Sequence, residues 1–117
     1  MSMEIDLSTI LRAVCPRTYP DVAPAETVTP YITWQGIGGE TLYYVDNTPA
    51  DKRNPFLQIS VWSKTRLEAL QVIRQVEAAL TSAAAFTATP EGEPMSTYEN
   101  DTKLYGSIQR FDIWASR

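Results

Sequence analysis

The sequence contains no histidine and only one cysteine, Cys15. Histidine is the commonest general base near neutral pH and a frequent metal ligand. Its absence excludes a Ser-His-Asp triad and a Cys-His catalytic pair. A single cysteine cannot form a disulfide within the chain, which is compatible with a reducing cytoplasm. Because Cys15 ends an apolar helical pattern, we expect it to be a small buried residue and not a reactive thiol.

Long hydrophobic runs and an excess of positive charge are also missing. The chain has 10 Lys and Arg against 14 Asp and Glu, a net charge of −4, whereas a nucleic-acid grip normally shows a basic stripe. No apolar run approaches the ~18 residues of a membrane helix, and no signal peptide is visible. With 117 residues, 44% hydrophobic and 21% charged, the composition predicts one soluble globular domain over residues 1–117.

Two segments have the periodicity of amphipathic helices. The first is predicted to begin near Ser2 and to end before the Cys15-Pro16 pair, because proline disfavours helical backbone in the residue before it. The second is predicted over residues 65–84, where Thr65 and Glu68 match a capping box. Its apolar stripe, which must lie on a sheet face, comprises Ala69, Val72, Ile73, Val76, Leu80 and Ala83.

Strand-like runs occupy most of the remaining chain. Residues 31–37 and 41–45 are predicted to form a hairpin across Gly38-Gly39, and residues 16–30, with four prolines, an extended surface connection. Further strands are expected at 56–62, 95–99 and 104–115, and residues 86–89 can form a short strand or an extended exit from the helix. The expected fold class is α+β, with a mainly antiparallel β-sheet, one long amphipathic helix packed on it and a short N-terminal helix.

The polar loop predicted over residues 46–55 supplies the candidate oligomer or partner interface, because it is the most exposed segment that the pattern identifies. Its carboxylate and amide oxygens do not match a Ca²⁺-binding loop, and a solvated loop is the better interpretation. No catalytic, cofactor-binding or metal residue is predicted. The candidate interface residues are Asp46, Asn47, Asp51, Lys52, Arg53 and Asn54.

Other patterns leave alternatives open. Gly36, Gly38 and Gly39 lie between two strands and not at the start of a helix, which favours a turn over a phosphate cradle. A pair of acids such as Asp101 and Asp112 could perform acid–base chemistry only if folding brings them together. The aromatic residues can form a ligand pocket, a protein interface or ordinary core packing; they are Tyr31, Trp34, Tyr43, Tyr44, Trp62, Tyr105 and Trp114.

Four short motifs occur along the chain at residues 19–24 (YPDVAP), 30–35 (PYITWQ), 57–63 (LQISVWS) and 111–114 (FDIW). In this order and spacing, they resemble the tail-completion or tail-terminator proteins of long-tailed bacteriophages and prophages. The likeness covers nearly the whole chain.

The resemblance implies a small α+β subunit of a ring, typically a hexamer, on the end of the tail tube. Such a ring stops polymerisation of the tube protein and offers a docking surface to the head-tail connector protein. It implies no catalytic residue and no cofactor, and assembly in the bacterial cytoplasm before incorporation into the virion tail. DNA can pass through the lumen, and an acidic subunit would favour sliding over sticking.

Three other functions remain as alternatives. A head-side neck or connector protein is also a small ring-forming adaptor. A ligand- or peptide-binding α+β module would use the aromatic strands as its pocket and would remain a monomer. An enzyme that relies on carboxylates alone would need two acids with perturbed pKa values in one cleft.

Overall fold

The computed structural model describes residues 2–116, which form two helices and six strands. The first half of the chain contains helix α1 (Met3–Val14) and strands β1 (Thr18–Pro20), β2 (Tyr31–Glu40) and β3 (Lys52–Ser63). The second half contains helix α2 (Arg66–Thr81) and strands β4 (Thr87–Pro90), β5 (Met95–Glu99) and β6 (Leu104–Ser116). The α+β class is therefore confirmed.

The strands form one mixed sheet in the order β1-β2-β3-β6-β4, with β5 also paired to β6. Strands β1 and β2 are parallel, and the other four pairs are antiparallel. Strand β1 belongs to the proline-rich segment 16–30, which the sequence predicts as an extended surface connection. Its pairing with β2 is parallel because the chain turns back between the two strands. The chain uses residues 21–30 to return to the same end of the sheet before β2 begins.

Both helices begin where the sequence predicts. Ser2 caps α1, and its side-chain oxygen accepts a hydrogen bond of 3.2 Å from the amide of Ile5. Thr65 caps α2 in the same way, with 3.2 Å to the amide of Glu68. The Glu68 carboxylate accepts its hydrogen bond from the hydroxyl of Ser63. The bonds donated by the amides of Ile5 and Glu68 satisfy groups that a helix start would otherwise leave unpaired.

Helix α2 has 16 residues and ends at Thr81, three residues short of the predicted end at residue 84. The hydroxyls of Thr81 and Ser82 donate to the carbonyls of Glu77 and Ala78, each at 2.8 Å. Ser and Thr side chains that bind the backbone compete with continued helix formation. The backbone of Ser82 has left the helical region, with ψ at 0°.

The predicted hairpin of residues 31–37 and 41–45 is wrong. Strand β2 continues through Gly38 and Gly39 to Glu40 and pairs with β3, from Tyr31 opposite Trp62 to Glu40 opposite Asn54. The register shifts between Gly36 and Gly39, so these glycines form an irregularity in a long strand and not a tight turn. A Cβ atom on Gly39 would lie 2.2 Å from the Asn54 carbonyl oxygen, and its φ is +131°.

The hydrophobic core lies between the two helices and one face of the sheet. The stripe of α2 packs there with the inward residues of β3 and β6, and α1 adds Met3, Leu7 and Leu11. The largest fully buried apolar side chains are Phe111, Leu7, Leu11, Ile32, Ile59, Ile73, Leu80 and Ile113.

Among residues 2–116, no helix lies on the opposite face of the sheet. Because side chains alternate along a strand, this helix-free face presents Tyr31, Thr33 and Gln35 of β2 beside Trp62, Ser60 and Gln58 of β3. The molecule is elongated, with extents of 51 × 26 × 25 Å.

Candidate functional site

The helix-free face contains a groove near the start of β2. Its floor is formed by Tyr31, Thr33, Ser60, Trp62, Leu104 and Ile108, and one wall is the strap, residues 21–29. The groove has a volume of about 890 Å³, which lies within the usual range of ligand pockets. The floor combines aromatic and aliphatic side chains with the two hydroxyls of Thr33 and Ser60.

Hydrogen bonds at both ends hold the strap beside the sheet. At its start, the amide of Asp21 donates to the carbonyl of Trp34 at 2.8 Å. Beyond its end, the guanidinium of Arg17 donates to the carbonyl of Pro30 at 2.9 Å. Between these anchors the strap exposes Val22 and Val28.

The close approach of Trp62 to Gly106 shapes the groove floor. These two residues lie opposite each other on β3 and β6. A Cβ atom on Gly106 would come within 2.8 Å of the Trp62 ring and 2.9 Å of the Thr97 methyl group. Any larger residue at position 106 must therefore displace the indole ring, which belongs to the floor.

The charges around the groove are mainly negative. Asp21, Glu26 and Glu99 line it together with one cation, Lys64. Burial, and secondarily the charge of Glu99, raises the pKa of Tyr31 above its ordinary value of 10.0. The Tyr31 hydroxyl consequently stays protonated at neutral pH and can donate a hydrogen bond.

A second distinctive surface is the tip loop, residues 41–51, which connects β2 to β3. Three consecutive apolar residues are exposed on it, with exposed fractions of 50% for Tyr43, 55% for Tyr44 and 108% for Val45. Isolated apolar residues are normal on a protein surface, but a contiguous group indicates an interaction site. The tip loop lies where β2 ends and β3 begins, away from the groove.

The tip loop has its own hydrogen bonds. The amide of Tyr44 donates to the Thr48 carbonyl at 2.9 Å, and the amide of Ala50 donates to the Leu42 carbonyl at 3.0 Å. The hydroxyl of Thr48 donates to Asp46 at 2.7 Å, which lowers the pKa of that carboxyl. These bonds hold the apolar residues in place at the tip.

The structure divides the six candidate interface residues into two groups. Asp46, Asn47 and Asp51 lie exposed in the tip loop, whereas Lys52, Arg53 and Asn54 belong to β3. The predicted loop 46–55 was therefore too long at its C-terminal end. The role of these residues as an interface stays a prediction.

Asn54 is not exposed, which corrects the prediction for that residue. Its side chain is 4% exposed and donates to the carboxylate of Asp112 and, at 2.8 Å, to the carbonyl of Ile113. Polar pattern alone cannot distinguish a solvated asparagine from one that satisfies buried acceptors on a neighbouring strand. Asn54 joins β3 to β6 and is a structural residue.

Arg53 connects the sheet to the first helix. Its guanidinium donates to the carboxylate of Glu4 at 3.0 Å. This hydrogen bond lowers the pKa of Glu4 below its ordinary value of 4.5. Arg53 is therefore already paired within the chain, and Lys52 is the more exposed cation of the two.

The structure also places Cys15 and the two acids Asp101 and Asp112. Cys15 is buried, as expected, with its thiol 3.3 Å from the Pro30 carbonyl oxygen. Asp101 precedes β6, and Asp112 lies eight residues beyond the first residue of that strand, so about 26 Å of strand separates them. These two acids cannot share one proton or one water molecule.

Sequence reasoning missed both the groove and the apolar character of the tip loop. The groove depends on long-range pairing of β2, β3 and β6, for which no local pattern exists. The tip loop had a local signal, because Tyr43, Tyr44 and Val45 are consecutive apolar residues. In the sequence, this run of apolar residues predicts a strand and not an exposed loop.

Two further properties bear on function. Between residues 2 and 116, no helix is long and apolar enough to cross a membrane. In the same part of the chain, no three Cys, Asp or Glu side chains are grouped closely enough to hold a metal ion.

Comparisons with curated proteins and with solved structures do not indicate a function for this chain. No curated protein matches this sequence. One similar solved structure comes from Akkermansia muciniphila and is described as lacking its transmembrane region. It shares 11% identity at a TM-score of 0.37, over 71% of this chain and 44% of that one. The chain thus spans less than half of that structure's length, and so distant a likeness carries no argument.

The family comparison agrees with the resemblance that the four sequence motifs indicated. The model of the family described as "Tail completion protein gp17" matches residues 5–116. The match includes both helices almost entirely and all six strands. This chain therefore belongs to the tail completion protein gp17 family.

Proposed function

We propose that copies of this protein form a ring on the end of the tail tube, which ends tube polymerisation and provides the surface for the head-tail connector protein. The family match over residues 5–116 carries this proposal. Assembly in the host cytoplasm and incorporation into the virion tail are parts of the same proposal. The protein acts through shape and contact and not through catalysis.

The form of the subunit supports a role in assembly. A molecule 51 Å long and about half as wide exposes an apolar tip loop and an open sheet face. Contiguous exposed apolar surface typically marks a protein contact. Ring subunits need two such surfaces, one for each neighbour.

The charge of the subunit supports passage of DNA through the ring. With a net charge of −4, a lumen lined by acidic residues would repel phosphate and favour sliding over binding. A basic lumen with the acids on the outer rim would contradict this part of the proposal. The charges of lumen residues in an assembled ring, seen by electron microscopy, would decide it.

The decisive experiment measures tube growth. Purified tube protein from the same phage is allowed to polymerise with and without this protein, and tube lengths and tube ends are recorded by electron microscopy. We expect shorter tubes with ring density at one end, and connector protein bound only to capped tubes. Unchanged tube lengths and bare ends at saturating protein would contradict the proposal; connector binding in that case would support a head-side neck protein instead.

The groove supports a second candidate, a monomeric peptide- or ligand-binding module. Its volume of about 890 Å³ and aromatic floor are typical of such sites. This function predicts a monomer at every concentration, whereas a ring subunit shows closed oligomers. Native mass spectrometry over a wide concentration range separates the two.

A further inference from the structure

The tip loop and the groove lie at opposite ends of the same two strands. Strand β2 begins at Tyr31 on the groove floor and ends at Glu40, where the tip loop starts. Nine residues of strand correspond to about 30 Å. The pairing of Glu40 with Asn54 fixes the base of the loop, so the tip cannot reach the groove of its own chain.

We propose that the tip loop of one copy inserts into the groove of the next copy, so that the Tyr44 ring packs on the floor beside Tyr31 and Trp62 and Val45 lies beside Gln58. This inference rests on the proposed ring and names the two surfaces through which neighbouring subunits meet. A contact between two different surfaces of identical subunits is head-to-tail. Such contacts generate a closed ring when the rotation between neighbours closes.

The chemistry of the two surfaces is complementary. The tip presents two tyrosines and a valine, and the groove floor presents Trp62, Leu104 and Ile108 with two hydroxyl groups. Aromatic rings pack favourably against one another at offset or edge-on geometry, and a buried tyrosine hydroxyl requires a polar partner. Thr33 and Ser60 can provide that partner at the bottom of the groove.

The area of this contact predicts a weak pair. Tyr43 and Tyr44 are about half exposed, and an aromatic side chain can bury roughly 200 Å², so each offers about 100 Å². With Val45 and an equal area of the groove, the contact buries on the order of 600 Å², below the roughly 1,200 Å² of a stable complex. Dimers should therefore be scarce, and oligomers should become stable only when each subunit makes both contacts.

The charges of the two surfaces predict an unusual salt dependence. The tip loop and its base carry Glu40, Asp46 and Asp51 against the exposed Lys52, since Arg53 is paired with Glu4. The groove carries three acids and one lysine, so both surfaces are net negative. Like charges repel one another, and salt screens that repulsion. We expect self-association to strengthen as ionic strength rises, whereas an interface formed by ion pairs would weaken.

Cysteine cross-linking tests the contact directly. A Val45→Cys chain is mixed with a Gln58→Cys chain, whose new thiol lies in the groove, at about 1 mM total protein under mild oxidation. The native Cys15 is buried and remains in both chains. The matched control replaces Gln58→Cys with Gln75→Cys, which carries the same change on the exposed side of α2.

We expect a covalent dimer only in the mixture of the tip and groove variants. Disulfide dimers formed by Val45→Cys alone would show that tips meet tips and would overturn the inference. Equal cross-linking to Gln58→Cys and Gln75→Cys would overturn it as well. A chain that is monomeric and not cross-linked at about 1 mM would also contradict it.

A second measurement follows self-association of Val45→Asp by sedimentation. Val45 is fully exposed, so the variant should fold normally and associate at least about tenfold more weakly. Thr41→Asp adds the same charge at an exposed position of the same loop and should have a smaller effect. Equal effects of the two variants would attribute the loss to charge alone and would contradict an apolar contact.

Different results would contradict the tip-to-groove contact and the proposed ring function. Rings that cap tubes but show no specific tip-to-groove cross-link would overturn the inference and leave the function intact. Specific cross-links in a protein that has no effect on tube growth would do the reverse.

Discussion

The two faces of the sheet differ in almost every respect, although the same strands form both. On the face covered by helices, Leu57, Ile59 and Val61 of β3 are at most 2% exposed. On the other face, the alternating residues Gln58, Ser60 and Trp62 border an open groove. The covered face therefore carries the hydrophobic core, whereas none of these three residues of the helix-free face belongs to it.

The body of the molecule and the tip loop, which lie apart along its long axis, also differ in where they place apolar residues. The body contains the core, whereas the tip exposes three apolar residues that contribute nothing to it. Apolar surface kept out of the core costs stability that folding could otherwise gain. Its presence in a tail protein is understandable if assembly buries it.

The largest expected effect is a loss of stability when a charged residue replaces a buried residue of α2 that packs on the covered face of the sheet. Val76 is fully buried in the core, and an unpaired carboxylate there costs several kcal/mol. Since domains of this kind are stable by about 5–15 kcal/mol, we expect Val76→Asp to be largely unfolded by circular dichroism. Gln75→Asp, on the exposed side of α2, should remain folded. Equal stability of the two variants would contradict the packing of α2 on the sheet.

The next effect tests the irregular part of β2, which leads to the tip. Gly39 has φ +131°, and its added Cβ would meet the backbone of β3, whereas nothing lies within 4 Å of a Cβ at Gly36. We expect Gly39→Ala to lower the free energy of unfolding by about 2–3 kcal/mol. Gly36→Ala should change it by less than about 1 kcal/mol. Urea denaturation of both variants measures the difference, and similar losses would refute the register shift.

The third prediction tests whether the polar residue Asn54 is a structural residue or a surface residue. Its side chain satisfies Asp112 and the Ile113 carbonyl inside the protein, and removal leaves both acceptors without this donor. We expect Asn54→Ala to cost about 1–3 kcal/mol in the free energy of unfolding. Asn100→Ala, in the exposed turn before β6, serves as the control and should be nearly neutral. If Asn54→Ala did not change the free energy of unfolding, Asn54 would again be a candidate interface residue.

The smallest effect concerns the ion pair between Glu4 and Arg53. The pair lowers the folded-state pKa of Glu4 below 4.5, so its contribution is fully present above that pH and is lost as pH falls through the folded pKa. Because both side chains are about a third or more exposed, we expect less than about 1 kcal/mol. The difference in unfolding free energy between the parent and Glu4→Gln should therefore shrink from pH 6 to pH 3. A constant difference would contradict the pair.

Local patterns predicted the helices well because their signals lie within one or two turns. The caps Ser2 and Thr65 and the apolar stripes were sufficient to place α1 and the start of α2. The strand β6 was likewise predicted from its own residues. By contrast, the Gly38-Gly39 pair had the same local appearance as a hairpin turn, and only the pairing of β2 with β3 distinguishes the two.

The candidate interface was predicted only in part. Polarity identified Asp46, Asn47 and Asp51 as exposed, but the same criterion wrongly included Asn54. Whether a polar residue faces solvent or a buried acceptor depends on which strand lies beside it. The pairing of β3 with β6 involves residues more than 40 positions apart, beyond the range of any local pattern.

The sequence alone determined the chemistry that is excluded, the α+β class, the helix starts and the resemblance to a tail-completion family. These depend on residue types and on spacing over a few positions, which are properties of the chain itself. The tertiary structure was needed to show the mixed sheet, the groove and the separation of tip from groove. Such features exist only after distant segments pair, because a surface is formed by residues that are neighbours in space and not along the chain.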